Sequence, residues 1–383
     1  MLLLWLACAE PWRSLQPYDN PFDADEPVRE RPLEVLVSGD VAVVSLQGTV
    51  DQPGAHVALV DLSTGEVRRV PVGSSPTGLA LHPDGEHVLV FNRFSNWASL
   101  VDLERGREVE RWPMDFYAIE GSFGADDELW VTNRWHDSVE LFRDGELRRS
   151  FAVGSNPRDL ALGSDVVAVA ALTGGTVTLV DRVKKTVRAE VDLGGPVSGL
   201  ALAEPWLFVA TTSASSHHLP FDGPDTDGDG QPGDGTPNVN FQDLQNELAV
   251  IDTRSGEVAW RYTSDSLCCF DYRDVSPEDA ERGGELLPDR STWIVGGAMP
   301  EQVLVAGERV WVTYSGSNQV QGFELDPSTG ALSPRVPWAT EGHNPHGLAA
   351  WGENLVVVHH LSETLGIYTP DGDLLREVEV GLL

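Results

Sequence analysis

The sequence predicts an all-β fold: a seven-bladed β-propeller of four-stranded antiparallel blades, with two long loop insertions on one face. Three observations carry this. A short phrase, Pro, two or three turn residues, then Leu-Ala, recurs along the 383 residues at a spacing of about 40, the length of one four-stranded propeller blade. Seven apolar, β-rich runs stand in register with it. Gly, Pro, Asp and Asn turns bound these runs, and no stretch of comparable length has a helical period.

The first strand of a blade is the phrase itself. It is clear at Pro76-Thr77-Gly78-Leu79-Ala80, Pro157-Arg158-Asp159-Leu160-Ala161, Pro196-Val197-Ser198-Gly199-Leu200-Ala201 and Pro345-His346-Gly347-Leu348-Ala349, and degraded at Phe116-Tyr117-Ala118-Ile119. The second strand starts at Val41, Val88, Leu129, Val167, Leu207, Val310 and Leu355, which makes seven copies. A third strand ends in Asp at Asp61, Asp102, Asp181 and Asp252, and turns such as Ser63-Thr64-Gly65-Glu66 return a fourth. Length divided by a typical domain of roughly 150 residues would give two or three domains. The repeat instead makes 33–383 one propeller, after a signal-like segment (1–8) and a tether (9–32).

The chain carries 60 Asp and Glu against 26 Lys and Arg, a formal charge of −34. Such a surface repels phosphate backbones and anionic lipid, so nucleic acid is excluded as a partner class. No run reaches the roughly 18 apolar residues of a membrane span. A monomer attached to membrane only through a lipid anchor is expected. Three cysteines cannot build a disulfide framework, and no Cys-x-x-Cys-His occurs, so covalent c-type haem is excluded.

Met1 to Cys8 is an apolar run ending in Ala-Cys, followed by a polar, proline-rich segment. It resembles the end of a bacterial lipoprotein signal, with Cys8 the acylated residue and a periplasmic or cell-surface address. No basic residue precedes the run, and Trp5 stands where an aliphatic residue is usual.

Strand alternation places the loop after each second strand and the link between blades on one face. Both insertions, at about 212–247 and 262–299, fall there, which makes that face the candidate site. In the first insertion, Asp225, Asp227 and Asp229 stand at alternating positions followed by Gly, with Asp234 beyond, a pattern that wraps oxygens around calcium; a solvated acidic linker is the plain alternative. His217 and His218 open the same insertion. His343 and His346 in the last link and His359 and His360 at a strand end could converge on zinc or copper, or simply occupy polar strand ends. Arg93, Arg134 and Arg158, beside Asn92, Asn133 and Asp159, could form a funnel for an anion, or each arginine could pair with a neighbouring carboxylate. Cys268 and Cys269 are open to a strained vicinal disulfide, a thiolate metal pair or two free thiols. No Gly-x-Ser-x-Gly or phosphate loop occurs.

Taken together, these repeats resemble the YVTN-type repeat of secreted seven-bladed β-propellers over about residues 33–381. Related chains are found with di-haem cytochrome c peroxidases, so the resemblance implies a redox protein partner, a di-haem cytochrome. The function expected is a binding module, accessory to a haem or copper redox system, with a calcium loop and no catalytic residues of its own. The alternative is a metal- or quinone-dependent oxidoreductase, or a lactonase, using the four histidines.

Overall fold

The computed structural model describes residues 30–50, 52–124, 127–214, 244–265 and 299–381. The expectations for Cys8, for His217 and His218, for Asp225, Asp227, Asp229 and Asp234, and for Cys268 and Cys269 fall outside the described residues.

The described residues form seven antiparallel sheets, each built from strands consecutive in sequence, with no helix among them. The innermost strands are β1 (Pro32–Ser38), β5 (Pro76–Leu81), β9 (Ala118–Phe123), β13 (Pro157–Leu162), β17 (Val197–Ala203), β21 (Pro300–Ala306) and β26 (Pro345–Trp351). Blade six carries a fifth, two-residue strand, Trp338–Ala339. The seven-bladed propeller read from the repeat is therefore the fold.

The second strands are apolar at consecutive positions because both faces of a blade are covered. In β6 (His87–Asn92), Val88 and Val90 pack between blades one and two, while Leu89 and Phe91 pack between blades two and three. In β18 (Trp206–Ala214), Leu207 and Val209 face blade four, and Phe208 and Ala210 face blade six. The period-2 alternation of a strand thus divides one apolar run between two cores. Seven such cores result, one in each gap. The gap between the last blade and the first is filled by Val35, Val44, Val60, Val356, Val358, Ile367 and their neighbours, with no strand exchanged. The Glu30 amide also donates to the Gly381 carbonyl (3.1 Å), and the Glu30 carboxylate accepts from His56 Nδ1 (3.0 Å). Glu30 to Pro32, placed in the tether by composition, are therefore part of the ring.

One hydrogen bond recurs in every blade and ties the loop after the second strand to the residue before the innermost strand. It runs from the amide of Gly48, Arg93, Arg134, Leu172, Thr212, Ser315 and His360 to the carbonyl of Arg31, Ser75, Tyr117, Asn156, Pro196, Met299 and Asn344. These pairs place the loops and links on one face, here called the link face. The β18–β19 ladder (β19, Leu244–Asp252) extends to the Ala214–Leu244 pair, and β20 runs Glu257–Asp265. Both insertions are accordingly shorter than the sequence pattern indicates, and both leave blade five at the link face.

Candidate ligand site at the channel mouth

Every innermost strand has a register irregularity at its link-face end, between Pro32 and Val35, Pro76 and Leu79, Pro157 and Asp159, Val197 and Gly199, Pro300 and Val303, and Pro345 and Leu348, and opposite Thr132 and Asn133 in blade three. A bulge re-aims side chains and ends pairing. Here it turns the residues between Pro and Leu into the axis of the propeller. At the second of these positions stand Glu34, Gly78, Glu120, Asp159, Gly199, Gln302 and Gly347. The glycines are required by crowding: a Cβ on Gly78 would lie 2.3 Å from Glu120 Oε2, and one on Gly199 2.3 Å from the Glu301 carbonyl oxygen.

Glu34, Glu120, Arg158, Asp159, Ser198, Glu301, Gln302 and His346 line a central cavity of about 20 Å³, room for about one water. Arg158 Nη2 donates to Glu301 Oε2 (2.6 Å), whose other oxygen accepts from Ser315 Oγ (3.0 Å). Asp159 accepts the amides of Leu160 and, across the blade gap, Leu200 (2.7 Å each). Gln302 Oε1 accepts the Leu348 amide (3.0 Å). Burial, followed by repulsion from Asp159, pushes the Glu34 carboxyl up to about 8. Burial and then Glu34 push Glu120 well above the carboxylate range, and burial lifts Asp159 to about 6. Burial acts in the same direction on Glu301, but Arg158, His346 and Ser315 together outweigh it and hold that carboxyl low.

The four histidines do not form one group. His359 is fully buried inside blade seven, with Nδ1 on Thr364 Oγ1 (2.9 Å) and Nε2 on Tyr368 Oη (3.2 Å). His343 Nδ1 meets Asn318 Nδ2 (3.3 Å) in the link. Only His346 and His360 come together, with ring centroids 5.1 Å apart, and His360 Nδ1 bonds the Pro32 carbonyl (2.8 Å). Burial, opposed by Glu301 and reinforced by Arg158 and His360, drops His346 to about 4, so it is neutral at pH 7. Among the described residues no group of three His, Cys, Asp or Glu side chains could hold a metal ion.

The three arginines lie on consecutive blades. Arg158 pairs with Glu301, but no described carboxylate forms an ion pair with Arg93 or Arg134. Burial first, then Arg158 and Arg93, lower Arg134 to about 10, and its Nε donates only to the Pro157 carbonyl (3.3 Å). The Arg93 guanidinium sits 4.8 Å from the Phe94 ring and 5.0 Å from the Tyr117 ring, and donates to Tyr117 Oη (3.2 Å). Phe116 packs on Tyr117 (4.8 Å) and on Trp135 (5.8 Å), which is 67% exposed. Asn92 and Asn133 are buried and serve the loops: Asn92 Nδ2 donates to the Trp97 carbonyl and Ser99 Oγ, and Asn133 Oδ1 accepts the Trp135 and His136 amides.

Sequence reasoning singled out the arginines and His346 but not Glu34, Glu120, Ser198, Glu301 or Gln302. Their signal was the pair of residues inside each Pro-x-x-Leu-Ala phrase, polar in some blades and Gly in others. The opposite face has a second hollow of about 350 Å³, bounded by Phe123, Leu162, Leu202, Arg182 and Glu204. Its ionic groups are engaged with the protein, Arg182 with Glu128 and Glu204 with Ser164.

No protein-family model and no curated protein matches the chain. Solved structures do. A hydrazine synthase chain from Kuenenia stuttgartiensis is 16% identical with a TM-score of 0.68, over 90% of this chain and 97% of that one. Virginiamycin B lyase from Staphylococcus aureus is 15% identical, TM-score 0.59, over 87% and 93%. The WD40 repeats of RRP9 are 13% identical, TM-score 0.61, over 88% and 92%. At these identities the likeness is one of architecture, and the chain is a β-propeller on the evidence of both its repeats and its neighbours.

Proposed function

We propose that the protein is a binding module of the cell envelope, tethered through Cys8, that grips a partner with its link face. The observation that carries this reading is the convergence on that face of two guanidinium groups that have no carboxylate partner among the described residues, an aromatic cluster ending in the exposed Trp135, and the roots of both insertions. A central cavity of about 20 Å³ is far below the roughly 300–1,000 Å³ of a small-molecule pocket, so recognition falls to the mouth and rim. The YVTN-type resemblance of the repeats makes a di-haem cytochrome the partner class to look for, and an accessory role in redox chemistry the setting.

The face assignment is tested in cells by a photo-crosslinking amino acid at Trp135, compared with Ser63 and Lys184 in the turns of the opposite face. A defined adduct from position 135 alone is expected, carrying haem absorbance if the partner is the cytochrome. Equal adducts from the opposite face, or none from position 135, would overturn it. Cys8→Ser should move the protein from the membrane to the soluble exported fraction, and unchanged fractionation would remove the tether from the proposal.

A further inference from the structure

We propose that the channel mouth on blades two and three is a site for a carboxylate borne on an aromatic body. Arg93 and Arg134 take the anion, and Tyr117, Phe116 and Trp135 take the ring. The inference rests on the link face being the binding face and names the chemistry that face recognises.

The first support is electrostatic. In a chain with 60 acidic and 26 basic residues, carboxylate partners are abundant, and Arg158, Arg182 and Arg188 all have them. Arg93 and Arg134 have none among the described residues. Both border Tyr117, Arg93 donating to its Oη (3.2 Å) and the Arg134 amide to its carbonyl (3.1 Å), and repulsion from Arg158 and Arg93 adds to burial in lowering Arg134. Half-buried like charges with no carboxylate partner among the described residues favour an incoming anion. The Nε of Arg93 is moreover buried without a hydrogen-bond partner.

The second support is conformational and independent of charge. The residue before the innermost strand takes a left-handed conformation in several blades, at Ser75 (φ 53°), Asn156 (φ 59°), Met299 (φ 56°) and Asn344 (φ 60°), of which the asparagines are the residue type that favours it. In blade three the same position is Tyr117 at φ 65°. A bulky aromatic there is strained by about 1 kcal/mol or more. The ring of Tyr117 lies against Arg93, Phe94, Phe116 and Trp135. Stacking on the ring holds the Arg93 fork in place, so less freedom is lost when it meets a planar anion.

Guanidinium forks match carboxylate and phosphate alike, but the −34 field repels a dianion more strongly than a monoanion. The aromatic rim then selects a carboxylate with a flat apolar group attached. Such a group could be a free aromatic acid or an acidic residue beside an aromatic one on a partner, and the two sources share this chemistry.

Titration calorimetry of the full chain at low salt tests it, with phenylacetate, the capped peptide acetyl-Phe-Glu-amide, acetate and benzyl alcohol. Saturable binding of phenylacetate or the peptide is expected, at least about ten-fold tighter than acetate or benzyl alcohol. Tighter binding of the peptide identifies a protein source, and tighter binding of phenylacetate a free acid. R93Q and R134Q should each weaken binding at least about ten-fold, R134K less so, while neither glutamine variant melts below wild type because a repulsive charge is gone. Absence of saturable binding, or affinity unchanged in both R93Q and R134Q, would overturn the proposal. W135A, at an exposed position, gives a second reading should R134Q fail to fold, and unchanged affinity there would remove the aromatic half. A defined photo-adduct at position 135 alongside failed calorimetry would leave the face assignment standing and this site refuted.

Discussion

Glu34→Gln should abolish most of the stability loss that the wild-type protein undergoes between about pH 6.5 and 8. The folded-state pKa of Glu34 is raised to about 8 from an ordinary 4.5, by burial and by Asp159. Between those values the folded state holds a proton that the unfolded chain has released, so stability falls as pH rises, by at most about 1.4 kcal/mol per pH unit for one proton. It is full below about 4.5 and lost once the pH passes about 8. Two histidines act oppositely. His346 and His359 are lowered from 6.5 to about 4, chiefly by burial, so their contribution is present above 6.5 and is lost as pH falls through 4. Below 6.5 the two slopes offset each other, with Asp159 at about 6 adding to the carboxylate side. Above 6.5 the raised carboxyls stand alone. Urea titrations at pH 6.5, 7.25 and 8 measure the slope. E34Q should match wild type at low pH and exceed it at pH 8, with Glu120 brought down because Glu34 is among the groups raising it. A flat wild-type profile over this range, or one that E34Q reproduces, would sink the argument.

Trp130→Ala is expected to cost about 3–5 kcal/mol of stability, against within about 0.5 kcal/mol for Trp135→Ala. Trp130 is fully buried in the core between blades three and four with Val139, Phe151, Leu160 and Val169. It stacks on Phe151 at 5.5 Å, and Lys185 Nζ lies 5.0 Å from its ring centroid. That lysine is held by Glu128 (2.7 Å), which also takes Arg143 (2.9 Å) and Arg182 (3.4 Å). Truncation therefore opens a large void and removes one wall of the ion cluster around the buried Glu128. Denaturant midpoints by far-ultraviolet circular dichroism decide it, and a loss below about 1 kcal/mol would mean that the gap closes by repacking.

The fold was legible because each blade repeats its own local physics. A run such as Val88-Leu89-Val90-Phe91 is apolar on both faces, and only a strand covered twice over allows that. The link face was legible for the same reason, since strand alternation is a counting rule. The channel was not. Arg158 meets Glu301, 143 positions later, so its pairing depends on how many blades lie between them and on how the ring closes. The absence of a described carboxylate at Arg93 and Arg134 is equally non-local. His359 and His360 show the limit at the shortest range: adjacent residues at a strand end point one into the blade and one to the mouth, and composition alone could not divide them.

The closure of the ring has its own consequence. A stacked array of seven units has six internal contacts and two bare ends, which linear repeat proteins must cover with special polar repeats. Here the terminal blades cover one another, so the same seven units gain a seventh contact, the one built on Val35, Val44, Val356 and Ile367, and need no end caps. Among the described residues each blade pairs strands that follow one another in sequence, save the two-residue Trp338–Ala339 strand, which pairs past one neighbour within its own blade, so each meander can form early and locally, leaving the meeting of the two ends as the main long-range event. A weakening of that last seam would be felt by all seven blades together, because an opened ring exposes two apolar sheet faces at once.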